Sequence, residues 1–291
     1  MRLTCLIFAL LLLSCSRYPG EVESALQQAG TNRDSLVAVL EHYRGGEPLK
    51  YKAACFLIAN MPYHGSSHSI EVPAQYGEYF ARVDSILEAD PDAVHDNNQK
   101  HALALQYGQL PEVLTHGGSN DLQSVTPSYL ITCIDEAFEQ WEQSPLLKSL
   151  DFDEFKEYVL PYRTVSEPLP PAKSDLWRKM YGQLSAAGVE NIRNPIEQYK
   201  QRAIAQKEMN RYVEAKAHVG IYDIYLPLFV ADCSNLSATT CNIFRACGIP
   251  ATFEFTPQWT DRSNRHFWCA SPDSSGHFHP YTPPYNNMDE D

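Results

Sequence analysis

The sequence predicts an α+β protein, with a helical N-terminal region followed by a core in which a cysteine-bearing helix packs on an antiparallel sheet. Three observations predict it. Apolar residues recur at three- and four-residue spacing from about 21 to 141, prolines crowd together between 155 and 171, and strand-period alternation begins after residue 250. At 291 residues and 44% hydrophobic, the chain has enough apolar material for a packed core in one large or two modest domains.

The first fifteen residues read as an export leader rather than as part of the fold. Arg2 supplies a positive charge, residues 6–13 are apolar, and Ser14 precedes Cys15. Such a run is too short to stay in a hydrocarbon core roughly 30 Å thick, which takes about 20 residues. Leu12-Leu13-Ser14-Cys15 also resembles a bacterial lipobox, which implies cleavage before Cys15, its acylation and a membrane anchor built from several buried alkyl chains. The expected location is the cell envelope, on the periplasmic face or the outer-membrane surface.

Residues 16–170 are expected to form the helical region. Val22, Ala25, Leu26 and Ala29 share a helix face, as do Leu36, Val39, Leu40 and Tyr43. Tyr76, Tyr79, Phe80, Val83 and Leu87 repeat the stripe, and so do Leu130, Ile134, Ala137, Phe138 and Trp141. Gly45-Gly46, His64-Gly65-Ser66-Ser67 and His116-Gly117-Gly118-Ser119 read as breaks between helices. His64, His68 and His116 are expected in those loops as solvated side chains.

Tyr158-Val159-Leu160-Pro161-Tyr162-Arg163 and Glu167-Pro168-Leu169-Pro170-Pro171 end the helical region in a stiff connector, with a domain boundary near 165–175. Tyr162, Arg163 and Glu167 have a second reading, as the lining of a cleft between two parts. Further helices are expected at 174–187 and 195–213, and residues 171–291 form the core.

Asp232-Cys233-Ser234-Asn235 opens the run that carries chemistry. Asp232 suits a helix N-cap, and Gly248-Ile249-Pro250 stops the helix, because glycine adopts the left-handed conformation and proline prevents continuation. Cys233 becomes the first helical residue, where unpaired backbone N–H groups and the helix dipole favour a thiolate. Strands are expected over 251–256, 265–270 and 277–281, with Asp273-Ser274-Ser275-Gly276 as a turn. A helix N-terminus facing a strand histidine, His266, is the arrangement a thiolate–imidazole pair uses.

The stretch from Asp232-Cys233 through Arg245-Ala246-Cys247-Gly248-Ile249-Pro250 to His266-Phe267-Trp268 resembles the transglutaminase-like superfamily over about 220–284. The helical region is similar to that of transglutaminase-like lipoproteins of gut Bacteroidetes. The resemblance implies a papain-like thiol core, with Cys233 as nucleophile and His266 as general base and acid. The Cys233 backbone N–H would contribute to an oxyanion hole. Thr282 stands where the superfamily has its orienting Asp, sixteen residues after His266; threonine accepts a hydrogen bond from imidazole but cannot balance imidazolium charge. Asp273 is the nearest acidic candidate for that role and reads as a turn residue. Trp259 and Trp268 are candidates for the cleft wall, and the core is expected to be cut short at its C-terminus.

What the resemblance implies is a cysteine protease or amidase that attacks an amide or peptide carbonyl and passes the acyl group through a thioester to water or an amine, with hydrolysis the expected outcome. Its substrate would be a peptide or protein, or a glycopeptide. The alternative is a degenerate scaffold binding glycan or peptide, and Thr282 favours it. A polysaccharide hydrolase would need paired carboxylates, and none stands out. No cofactor or metal is implied, although His266, His277 and His279 have a weaker reading as ligands. With a net charge of -13 and no basic cluster, nucleic acid is not an expected partner. Of eight cysteines, Cys55, Cys133, Cys233, Cys241, Cys247 and Cys269 remain after the leader and lipobox; none forms a CxxC, and most read as small buried side chains.

Overall fold

The computed structural model describes residues 17–71, 73–108, 110–111, 114–144, 147–167, 169, 233–260, 265–273 and 275–281. The helices expected at 174–187 and 195–213, and the leader with Cys15, lie outside the described residues.

The helical region begins with α1 (Gly20–Gln28), α2 (Arg33–Arg44) and α3 (Pro48–Asn60). Pro48 opens α3 at a position where its missing N–H costs nothing. Strand β1 (Gly65–Glu71) follows, then α4 (Gln75–Ala89), α5 (Asn97–Tyr107) and β2 (Leu114–Asn120). The short α6 (Asp121–Ser124), the long α7 (Pro127–Gln143) and α8 (Phe152–Tyr158) complete the region. Thr126 caps α7 by accepting from the Tyr129 N–H, and Asp151 and Glu154 cap α8 reciprocally.

The apolar stripes meet where their period says they should. Val22, Leu26, Leu36, Leu40, Tyr43, Ile58, Leu130 and Ile134 form one core among α1, α2, α3 and α7. Phe155 of α8 stacks on Trp141 at 4.3 Å and nearly parallel, closing the end of that core. Tyr76, Tyr79 and Val83 are buried instead in α4, which with α5 is inserted between β1 and β2.

β1 and β2 correct the reading of His64–Ser67 and His116–Ser119 as helix breaks. They form an antiparallel pair, with Ser66 opposite Ser119 and Ser69 opposite His116. Serine and glycine lack the apolar alternation that marks a strand. The glycines are nonetheless required, because a Cβ at Gly65 would collide with the Ser119 carbonyl and one at Gly118 with those of Ser66 and Ser67.

The second unit is α9 (Cys233–Ala246) packed on a sheet of β3 (Thr252–Thr256), β4 (His266–Pro272) and β5 (Phe278–Tyr281), with β4 in the middle. The fold is α+β, with small antiparallel sheets beside a large helical body. Gly248, at φ 67, ends α9 as expected. No described helix is long and apolar enough to cross a membrane.

Residues 158–167 connect the two units through buried polar contacts. The Arg163 guanidinium holds both carboxylate oxygens of Asp121 at 2.9 Å, and the Tyr162 hydroxyl donates to the same carboxylate at 2.8 Å. Arg163 also donates to the Glu167 carbonyl. The Glu167 carboxylate accepts from the Thr164 and Val165 N–H groups and from the Asn242 amide of α9. Arg245 of α9 reaches the carbonyls of Tyr158, Arg163 and Ala251.

Candidate functional site

Cys233 is the first residue of α9 and is half-buried. Cys233, Ser237, Cys241 and Arg245 follow one another at four-residue spacing and so share a face of the helix. Three of the four have resolved partners on the sheet or at its edge. The Ser237 hydroxyl donates to the Phe267 carbonyl at 3.1 Å, the Cys241 thiol to that of Thr252 at 3.2 Å, and Arg245 to that of Ala251 at 3.0 Å. Thr252 lies opposite Ala270 in the register.

α9 therefore advances along the sheet in the direction of β4. One turn covers about 6 Å over four residues, close to the length of two strand residues. Stepping back a turn from Ser237, which lies beside Phe267, brings Cys233 near Arg265, just before the first residue of β4, His266. The row of contacts brings the expected nucleophile and base to the same end of the unit.

Their side chains are not joined. Among the described residues, no hydrogen bond connects the Cys233 thiol and the His266 imidazole. His266, Trp268 and Ala270 share one side of β4, while Phe267 and Cys269 share the other. Phe267 stacks with Phe253 and Phe255 at 5.5 and 5.9 Å, the Arg265 guanidinium lies 5.6 Å from its ring, and Cys269 is fully buried.

His266 is half-buried between the two tryptophans named as cleft candidates. Its ring lies 6.0 Å from Trp259 and 6.2 Å from Trp268, tilted by 30° to each. The Trp268 indole N–H donates to the Glu254 carboxylate at 2.9 Å, across a matched β3–β4 pair. Burial holds the His266 pKa below the ordinary imidazole range, so the ring is neutral and able to accept a proton at neutral pH. Glu254 carries no motif of its own, and only the register of the hairpin reveals it as the residue that fixes Trp268.

Thr282 and Asp232 lie outside the described residues. Asp273 holds the β4–β5 turn, as its context suggested. One carboxylate oxygen accepts from the Ser275 N–H and hydroxyl and the His277 N–H, and the other lies 2.8 Å from the His279 ring. Those contacts hold its pKa far below the usual carboxylate range. His277 and His279 face each other at 5.0 Å, and no group of three His, Cys, Asp or Glu side chains among the described residues is placed to hold a metal.

Compared with protein-family profiles, curated proteins and solved structures, the chain matches none.

Proposed function

We propose that this chain is an exported, lipid-anchored enzyme of the cell envelope with a transglutaminase-like, papain-like thiol site that hydrolyses amide or peptide bonds. The observation that supports the reading is the contact row Ser237–Phe267, Cys241–Thr252 and Arg245–Ala251, which runs toward the end of the unit where α9 and β4 both begin. In the proposed reaction the His266 imidazole takes the Cys233 proton and the thiolate attacks the substrate carbonyl. The N–H groups at the start of α9 stabilise the developing oxyanion. The amine leaves with the proton from His266, and water then releases the acid from the thioester. Trp259 and Trp268 flank the base and supply apolar wall for a peptide or glycopeptide. Acylation of Cys15 supplies the membrane anchor.

A second reading, a transglutaminase-like scaffold that binds peptide or glycan without turnover, is favoured by the opposite placement of His266 and Cys269 on β4 and by the unjoined Cys233–His266 pair. One experiment separates the two. Alkylation of the folded full chain by iodoacetamide is expected to modify Cys233 ahead of the other cysteines near pH 7, and His266→Ala is expected to slow it by about tenfold or more. Hydrolysis of a peptide library should vanish in Cys233→Ala. Alkylation of Cys233 at the same rate in wild type and His266→Ala would sink the enzyme reading and leave the scaffold.

A further inference from the structure

The side of the β3–β4 hairpin that carries His266 is built from matched pairs. Glu254 lies opposite Trp268 and Thr256 opposite His266, and directly paired residues project to the same face of a sheet. Glu254 is therefore the diagonal cross-strand neighbour of His266, with Trp268 completing the corner. The Trp268 indole N–H donates to one Glu254 carboxylate oxygen at 2.9 Å, and the Trp268 ring lies 6.2 Å from the imidazole at 30°. Trp259 meets the imidazole at 6.0 Å and the same tilt. Among the described residues, the other charged group of the hairpin, the Arg265 guanidinium, lies over Phe267 on the opposite face.

We propose that Glu254 is the positioning residue for His266, acting through Trp268. The inference rests on the reading of His266 as the base for Cys233 and names the residue that holds that base in place. An imidazole and an indole each turn on a broad torsion, so a half-buried ring beside a free indole has several orientations open to it. The bond from Trp268 to Glu254 removes that freedom, because the indole has a single N–H and its acceptor is fixed across the strand pair. A hydrogen bond to an ionised acceptor is roughly twice as strong as a neutral one. With the indole locked, the imidazole is confined against a fixed ring and shielded from water on that side.

Two substitutions at Glu254 separate this role from that of its charge. Glu254→Gln keeps a carbonyl oxygen for the indole N–H and removes the charge, while Glu254→Ala removes both. The difference between them isolates the bond to Trp268. Without that bond the indole swings away, water reaches the imidazole, and the burial that holds His266 neutral is reduced.

The test follows the His266 imidazole by NMR titration in the full chain, its signal assigned by its loss in His266→Gln, alongside alkylation of Cys233 by iodoacetamide. The His266 midpoint is expected to lie higher in Glu254→Ala than in Glu254→Gln by about half a pH unit, and Cys233 alkylation to be about threefold slower. Equal midpoints in the two variants overturn the proposal. Trp268→Phe keeps a ring on that face and removes the N–H, so in its background the two Glu254 variants should no longer differ. A difference of the original size there also overturns the proposal, because Glu254 would then act without Trp268. Where Glu254→Ala fails to fold, Trp268→Phe alone decides: its midpoint is expected to rise toward 6.5, and a midpoint at the wild-type value overturns the proposal. The titration reads His266 whether or not Cys233 reacts. Alkylation indifferent to every variant, with the midpoints separated as expected, would refute the enzyme reading alone and leave Glu254 in its positioning role.

Discussion

The helical body and the cysteine-helix unit are held by different means. The largest fully buried side chains, among them Tyr43, Tyr79, Phe155, Met61 and Ile134, belong to the helical body. α9 buries Ser234, Ser237, Thr240, Asn242 and Arg245 beside its apolar residues; Ser237 and Arg245 bond to the sheet and its edge, and Asn242 to the segment 158–167. Apolar packing is non-directional and sets overall stability. Buried hydrogen bonds fix position, because leaving a donor or acceptor unmade costs about 1–3 kcal/mol. The helical body thus works as a platform, and the polar contacts set where the candidate nucleophile stands.

The sharpest way to break that comparison is to damage each kind of contact separately. Phe155→Ala removes a ring stacked on Trp141 and edge-on to Phe138 and is expected to cost about 3–5 kcal/mol in urea unfolding, while hydrogen exchange within α9 under native conditions stays unchanged. Asp121→Asn is expected to cost a similar amount, about 3–5 kcal/mol, because it strands the buried Arg163 guanidinium. Unlike the first variant, it should also speed exchange in α9. The route runs from Arg163, whose carbonyl accepts from Arg245 and whose guanidinium donates to the Glu167 carbonyl, to Asn242, which donates to the Glu167 carboxylate. Equal loosening of α9 in both variants would mean that its position depends on total stability and not on the polar cluster.

The same division explains which parts of the fold and site are legible in the sequence. The stripes of α2 and α7 and the Gly248-Ile249-Pro250 stop declare themselves locally, so α9 and the three strands after it fall within a residue or two of where spacing puts them. β1 and β2 do not, because Gly-Ser runs look like turns until a second such run is found opposite. The Asp121–Arg163 pair spans 42 residues with no local sign in either segment. Cys233 and His266 are visible as a helix start and a strand residue. Which side of β4 the imidazole occupies is set by register, and a one-residue change of register would reverse it.

A smaller effect is expected at the joint between platform and helix. Gly248 is in the left-handed region, and a Cβ there would lie 3.1 Å from that of Ser144, whose hydroxyl donates to the Gly248 carbonyl. Gly248→Ala is expected to cost roughly 1–2 kcal/mol of stability in thermal or urea unfolding from the backbone conformation alone. Ser144→Gly in the same background removes the steric part and leaves the backbone cost, so full recovery would show that crowding alone was responsible.

The smallest expected effect is a pH dependence seated in the polar cluster. The His64 carbonyl accepts from the Asp121 N–H, and burial pushes the His64 imidazole below its ordinary 6.5. The nearby Asp121 and Glu167 charges oppose that shift and Arg163 adds to it. A depressed pKa means that the unfolded chain binds the proton more readily, so stability rises with pH between the folded value and 6.5 and is lost as pH falls through that window. His266 is shifted in the same direction by its own burial. The urea midpoint is expected to drop on going from pH 7.5 to 5.5, and His64→Gln and His266→Gln should each flatten that slope, because each removes a group with a depressed pKa. A slope unchanged in His64→Gln would place the acid sensitivity outside the joint and among the exposed carboxylates.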